Sequence, residues 1–317
     1  MRTISMLAMA GFMLLPTLAH AQSDYPNRIV KIVNPYAAGG TTDLLTRALA
    51  VGLSSRLGQQ FIVENKAGAG GAIGTAGVAR SNPDGYELLF APALVLTVHP
   101  QARTDTGYKS DALAPICQTF ENAMGLVVKP DSPIKSIADL VAAARARPGQ
   151  LNYGHQGPST IPHLAMEEFL INAKLDIKDI PFRSDPAVIT DVLGGRIDVG
   201  AVVMGVVAGQ NVRIIGIFAE TRHSSFPDAP TVKEQGFDVS PTSFGGLLAP
   251  AATPAPVRAK LAAACEGAAK DEIYESAAKR AAQPTTYYAD AATFRQRLQR
   301  DTERKAEVLK RLSAKPQ

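Results

Sequence analysis

Short apolar runs alternate with helical segments along the whole chain, and this alternation confines it to the α/β class. Arg28-Ile29-Val30-Lys31-Ile32-Val33 reads as a strand, stopped by the turn Asn34-Pro35-Tyr36-Ala37-Ala38-Gly39-Gly40. Thr41, Thr42 and Asp43 then offer capping oxygens to a helix that runs on through Leu44-Leu45-Thr46-Arg47. Further strands are predicted at Phe61 to Asn65, Tyr86 to Phe90, Ile116 to Phe120, Gly125 to Val128, Leu151 to Tyr153, Ile180 to Phe182, Asp198 to Val203, Val212 to Phe218 and Phe244 to Ala249. Helices are predicted at Ala72 to Arg80, Ile137 to Arg147 behind a Ser136 cap, Thr160 to Ile171, Pro186 to Leu193, Pro254 to Ala269 and Ala291 to Leu312. The pattern predicts largely parallel sheets, with ligands sitting beyond the carboxyl ends of the strands.

The first 21 residues have another use. Arg2 precedes an apolar run from about Ile4 to Leu18, and Ala19-His20-Ala21 supplies the small-x-small pattern of a signal-peptidase site. The run is shorter than the about 20 apolar residues of a membrane span, so it predicts export to the periplasm with cleavage after about Ala21. Cleavage would leave 296 of the 317 residues, more than one core usually holds, which predicts two lobes. The chain is predicted to cross between lobes near Glu121 and again between Ala219 and Phe244. This gives residues 22–121 and 241–317 to the first lobe and 122–240 to the second.

Charge is nearly balanced at +4, Trp is absent, and basic residues concentrate from Arg295 to Lys315 among Asp301, Glu303 and Glu307. That tail reads as a solvated helix face, and the composition argues against a nucleic-acid partner. Cys117 and Cys265 are the only cysteines. An oxidising compartment would let them pair, but an apolar run around Cys117 and an Ala-rich helix around Cys265 favour two buried thiols. With no CxxC and no neighbouring His ligands, neither a metal site nor a cofactor is expected.

Four strand-ending turns are built from small and polar residues: Pro35 to Gly40, Lys66-Ala67-Gly68-Ala69-Gly70-Gly71, Phe90-Ala91-Pro92-Ala93, and Gly154-His155-Gln156-Gly157-Pro158-Ser159-Thr160. Small residues let backbone approach backbone, and a fresh helix start points unpaired N–H groups and about half a positive charge into the gap. If the turns converge, they make a seat for a carboxylate.

The order and spacing of these segments resemble the Bug, or TctC-like, solute-binding proteins of tripartite tricarboxylate transporters. The resemblance is carried by Tyr25-Pro26, Pro35 to Gly40 with Asp43, Val63-Glu64-Asn65-Lys66 with Gly68 to Gly71, and Pro83-Asp84-Gly85-Tyr86. It continues through Tyr153-Gly154-His155 with Gly157 and His163-Leu164, Gly195-Arg196-Ile197-Asp198, Pro230 to Gly236, and Gly246-Leu247-Leu248-Ala249-Pro250. It implies a two-lobed Venus-flytrap fold of the type II-like periplasmic-binding-protein kind, closing on a small carboxylate for delivery to inner-membrane permease subunits. The ligand would be a di-, tri- or aromatic carboxylate or an acidic amino acid. By analogy, Tyr36, Ala38, Gly39, Gly40, Thr41, Asp43, Ala69, Gly70, Gly71, Ala91 and Ala93 line the first lobe's side. His155, Gln156, Ser159, Thr160, Arg183 and Asp198 line the second. Ser159 and Ser184 stand where the family favours glycine, and Phe244 where it favours Trp, so the ligand's identity does not transfer.

Several of these residues also have structural readings. His155 either donates to a ligand or caps its turn, and His163 reads as a structural group within its helix. Arg183 faces a ligand or pairs with Asp185, Asp43 caps its helix, and Asp198 organises the second lobe or holds a water. Enzyme readings fail on their motifs. Ser132-Pro133-Ile134-Lys135 matches Ser-x-x-Lys but lies in a turn with no Lys-Thr-Gly after it. Gly68, Gly70, Gly71 and Gly74 miss the dinucleotide spacing because position 73 is Ile. No Gly-x-Ser-x-Gly elbow is present, and Glu167 and Glu168 point apart on a helix. An exported hydrolase of a small carboxylate ester or amide, and a ligand sensor docking on a membrane protein, are the alternatives.

Overall fold

The structure, a computed structural model, describes residues 25–313 apart from 103–104, 159, 220, 240–242, 282 and 284–287. The leader and Ser159 therefore lie outside the described residues. In chain order the elements are β1 (Val30–Asn34), α1 (Thr41–Leu57), β2 (Phe61–Asn65), α2 (Ala72–Ala79), β3 (Glu87–Pro92), α3 (Leu94–Thr97), α4 (His99–Ala102) and β4 (Leu113–Asn122). Next come β5 (Met124–Val128), α5 (Ile137–Ala146), β6 (Asn152–His155), α6 (Ile161–Ala173), β7 (Lys178–Pro181), α7 (Asp185–Leu193), β8 (Val199–Val203) and β9 (Arg213–Phe218). The chain ends with β10 (Ser243–Pro250), α8 (Ala255–Ala268), α9 (Glu272–Arg280), β11 (Ala289–Asp290) and α10 (Ala291–Ser313).

Two sheets form, in the orders β11-β4-β10-β3-β1-β2 and β7-β6-β8-β5-β9. They are mixed, which corrects the expectation of largely parallel sheets. β1 runs parallel to β2 and β3, and β6 parallel to β7 and β8. β10 is antiparallel to β3 and β4, and β5 antiparallel to β8 and β9. The strands next to the changes of sheet run against their neighbours, and an apolar run alone does not reveal direction.

Each sheet is covered on both faces, so its strands are nearly continuous apolar runs. In β1, Val30 and Ile32 face one core with Leu45, Leu49 and Leu53 of α1 and Leu261 of α8. Val33 turns to the other face, where α2 contributes Val78 and α10 contributes Phe294 and Leu298. The second sheet repeats the arrangement. Leu126 and Val128 of β5 face Leu140 of α5 and Phe169 of α6, while Val127 faces Val188 and Val192 of α7. Ser136 caps α5 as predicted, its hydroxyl accepting the Asp139 N–H at 3.1 Å.

Two expectations are overturned in this frame. Cys117 on β4 and Cys265 on α8 form a disulfide with Cα atoms 6.5 Å apart, rather than two free thiols. The two thiols share one core, which brings together sulfurs that their separate sequence contexts could not relate. The basic tail is also not simply solvated. α10 turns Phe294, Leu298, Asp301, Lys305 and Val308 inward, and Lys305 is fully buried with its Nζ 3.2 Å from Glu168 Oε2 on α6. Spacings of three and four place these five on one helix face despite two charges among them.

The disulfide closes 148 residues of chain. Replacing both cysteines with serine should lower unfolding free energy by about 2–4 kcal/mol in chemical denaturation, with the far-ultraviolet spectrum unchanged.

Candidate functional site

The topology places the carboxyl edge of each sheet where the chain crosses from one sheet to the other. β1, β2 and β3 are parallel, so the turns after Asn34, Asn65 and Pro92 leave from the same edge. β4 runs in the same sense, because β10 is antiparallel to both β3 and β4, and it ends there at Asn122. Only Ala123 separates it from β5, whose first residue, Met124, pairs with Val203 at the carboxyl end of β8. The ends of β6 and β7, at His155 and Pro181, share that edge. The two edges also touch, since Leu94 of α3 packs against the core that contains Ile161 and Ala165 of α6.

On the first sheet's side, Ala37 to Gly40 form an exposed loop leading into α1. The capping differs from the expected form. Gly40 is the N-cap residue and makes no side-chain bond, and Thr41 and Thr42 already lie inside the helix. Asp43 does not cap the helix but closes the loop before it, its Oδ2 accepting the Gly39 N–H at 2.9 Å and its Oδ1 accepting Asn65 Nδ2 at 2.8 Å. Burial opposes ionisation of Asp43, but Arg47, the Gly39 N–H and Asn65 together outweigh it and take the carboxyl down to about 2. Asp43 is thus committed to holding the turn.

Ala69 to Gly71 form a single tight turn, with Gly70 at φ 66° and Gly71 at φ 100°, values that favour glycine. A Cβ on Gly71 would lie 3.1 Å from the Tyr36 hydroxyl, and one on Gly70 3.3 Å from the His99 ring. Tyr36, Gly70, Gly71 and His99 therefore meet at one place. The Tyr36 hydroxyl is buried without a hydrogen-bond partner, and burial raises its pKa. Ala91 and Ala93 are fully buried at the end of β3, where the Ala93 N–H donates to the Phe244 carbonyl.

On the second sheet's side, Gln156 and Thr160 are half-buried, and the Thr160 hydroxyl donates to the Gly157 carbonyl at 2.7 Å. Pro162 sits in the first turn of α6. The His155 ring is fully buried and stacks on His163 with centroids 4.4 Å apart. Its Nδ1 lies 2.9 Å from the Gly157 carbonyl oxygen, so it caps its turn. Arg183 is exposed at the start of the α7 region. Asp198 stands apart from the other residues. Its Oδ2 accepts the Asn152 N–H and its own N–H donates to Asn152 Oδ1, both at 2.9 Å. That clasp joins the amino ends of β6 and β8, at the edge away from the gap.

Sequence reasoning passed over three groups at this edge. Asn34, the last residue of β1, is fully buried with both side-chain polar atoms unpaired. His99 lies against Gly70. Asp185, the first residue of α7, is buried, with Oδ2 accepting the Val203 N–H at 3.4 Å and Oδ1 unpaired. Burial pushes the Asp185 carboxyl up to about 6. A polar residue closing an apolar strand was the available signal for Asn34, and an acid directly after the Ser184 cap was the signal for Asp185.

Comparison with known proteins agrees with this geometry. Residues 45–313 match the family described as the tripartite tricarboxylate transporter family receptor, TctC. The chain is 36% identical over 284 residues to the UPF0065 protein in gbd 5'region of Cupriavidus necator, covering 88% of this chain and 86% of that protein. A crystal structure of a TctC solute binding protein from Polaromonas, without ligand, superposes with a TM-score of 0.82 at 27% identity, covering 90% of this chain and 99% of that one. An R. palustris protein with adipate shares the fold at 24% identity and a TM-score of 0.74, covering 90% of this chain and 98% of that one.

The two buried acids should respond to pH with opposite signs. The Asp43 carboxyl is held below its ordinary 3.8, so its contribution is full above about pH 4 and is lost as pH falls towards 2. Asp43→Asn should cost about 1–3 kcal/mol at neutral pH, the range for hydrogen bonds to a charged group, and flatten the stability profile in that window. The Asp185 carboxyl is held above 3.8, so its ionisation costs nothing below that pH and the full amount above about 6. Asp185→Asn, which still accepts from Val203, should stabilise the unliganded protein above pH 6 by on the order of 2–3 kcal/mol, measured by urea melts across pH.

Proposed function

The chain belongs to the tripartite tricarboxylate transporter receptor family, and on that premise we propose that it binds a small carboxylate in the gap between its two sheets and delivers it unaltered to a membrane permease. The members and neighbours of this family are periplasmic solute-binding proteins. Among the described residues no helix is long and apolar enough to cross a membrane. The leader pattern through Ala21 supports export and cleavage there.

One observation supports the reading: the carboxyl edges of both sheets lie at the crossing between β4 and β5, and α1, α6 and α7 follow strands that end on those edges. The first-turn amides of a helix have no partner within it, and a carboxylate satisfies them while meeting the positive end of the helix dipole. The exposed backbone of Ala38 to Thr41, the turn at Ala69 to Gly71 and the start of α6 at Thr160 are the contacts we assign. The first sheet with its helices forms one lobe and the second sheet with its helices the other, so a ligand touching both favours the closed form by the difference in its affinity for the two states. Solved proteins of this fold have been captured with adipate and with malate, both dicarboxylates. A hydrolase reading gains no support from Ser132, which is buried and whose hydroxyl accepts the Ile134 N–H in a turn.

Gly40 offers the cleanest test. Its backbone is extended, and a Cβ there would meet nothing closer than 3.7 Å, so a larger side chain is accommodated by the fold while projecting from the exposed loop. A dicarboxylate at 100 times its dissociation constant stabilises its receptor by about 2.7 kcal/mol. A thermal-shift screen of C4 to C6 dicarboxylates, tricarboxylates, acidic amino acids and aromatic acids should find such a ligand for the parent protein. Gly40→Leu should melt at the same temperature without ligand and lose the ligand-induced rise. An undiminished rise in the variant would remove the loop from the site, and chemical conversion of the ligand would replace binding with catalysis.

A further inference from the structure

We propose that Asp185 is a specificity-determining residue: its buried carboxylate takes an ammonium group of the ligand while helix-start amides take the ligand's carboxylate. This rests on the carboxylate reading above and narrows it to acids that also carry an ammonium, such as amino acids. Asp185 opens α7 directly after the Ser184 N-cap. Its Oδ2 accepts the Val203 N–H at 3.4 Å, and Val203 closes β8 opposite Met124, the first residue of β5. The next N–H along, that of Met204, donates to the Ala123 carbonyl at 3.0 Å. These bonds hold the Asp185 carboxyl beside the point where the chain passes from one sheet to the other.

The independent observation is the state of that carboxyl. Asp185 is only 5% exposed, yet Oδ1 has no hydrogen-bond partner. Arg183, two residues earlier, is exposed and makes no ion pair with it, so the pairing weighed from the sequence does not form. An acid in the first turn of a helix is ordinarily held as an anion by the free amides and the helix dipole. Here burial outweighs them and pushes the carboxyl up to about 6. A purely structural helix-start acid would sit at the surface and gain from ionising. Ionised, Asp185 has an oxygen without a donor, and protonated, it has an O–H without an acceptor. Either state leaves a buried polar atom unsatisfied until a donor arrives, a cost that proteins seldom carry without a purpose.

The helix starts on these edges differ in charge, and the difference points to the ligand. α6 has no acid in its first turn, and the Asp43 carboxyl of α1 is spent on Gly39, Arg47 and Asn65. Both helices therefore keep free amides for a carboxylate. α7 instead brings its own buried anion, which repels a carboxylate and attracts a cation. A ligand with an acid group and an ammonium group satisfies both kinds of helix start. A metal ion fits less well, since among the described residues Asp185 belongs to no group of three side chains able to ligate one. An ammonium needs only one anionic oxygen at hydrogen-bond distance. Half-buried Ser184, Val203 and Gly205 beside it leave a route of access.

Calorimetry on purified, ligand-free protein with matched acids tests this: succinate with aspartate, glutarate with glutamate, adipate with 2-aminoadipate, and butyrate with 4-aminobutyrate. In the best-bound pair the ammonium member should bind about 10-fold or more tightly than its amine-free counterpart. Asp185→Asn still accepts the Val203 N–H and should be folded by circular dichroism. It should weaken the ammonium member by about 10- to 100-fold, the scale of one hydrogen bond to a charged group, and leave the amine-free member unchanged or tighter. An amine-free acid as the tightest ligand of the parent protein, in these pairs or in the wider acid screen, overturns the inference and leaves the carboxylate reading standing. Equal loss for both members in the variant overturns it too, reducing Asp185 to a structural role. Binding of no acid at all would remove the carboxylate reading itself, and this inference with it.

Discussion

Binding as proposed depends on the peptide N–H groups left without a partner at the starts of helices. Strands of both sheets end, and their following helices begin, on the edge where the chain crosses between the sheets at Ala123. A gap lined this way presents partial positive charge without needing a buried cation, and it suits a ligand whose carboxylate oxygens accept several hydrogen bonds. Of the charged side chains at this edge, Asp43 closes the first turn together with Arg47 and Asn65, and Arg183 lies exposed.

The C-terminal helix spans both sheets. Val308 joins Val98 and Leu164 in a small core, so α10 touches elements belonging to both sheets. Lys305 and Glu168 add a buried ion pair between α10 and α6. Such a pair adds little net stability, because desolvation offsets the attraction, but losing one partner leaves a buried charge that is strongly disfavoured. The pair therefore selects one seating of α10 against α6. Arg297, paired with Glu121 at 2.7 Å, does the same beside the crossing strand.

What the sequence made legible was local. The Ser136 cap, the strand–turn–helix units and the small turns at Gly39-Gly40 and Gly70-Gly71 depend on neighbours a few residues away, and they stand where periodicity and turn chemistry put them. What it hid depended on distant partners. Cys117 and Cys265 are brought together by β4 and α8, and Lys305 is buried only because Glu168 receives it. The antiparallel course of β10 follows from a long return connection that leaves no mark in its residues. α9, at Glu272–Arg280, escaped notice because its charged residues mask a short buried face of Tyr274, Ala277 and Ala278. In the candidate site, the glycine turns were readable, whereas Asn34 and Asp185 became conspicuous only as buried groups with unpaired atoms.

The central claim is that amides from both sheets hold one ligand. Amide-resolved NMR during titration with a bound dicarboxylate tests it directly. The account predicts that resonances of Gly39 to Asp43, of Gly70 to Ala72, and of Thr160 with Ile161 shift together along one saturating curve. Shifts confined to one sheet's turns, or centred on the surface hollow lined by Arg28, Lys31, Tyr86 and Glu87 at the opposite edge of the first sheet, would contradict it.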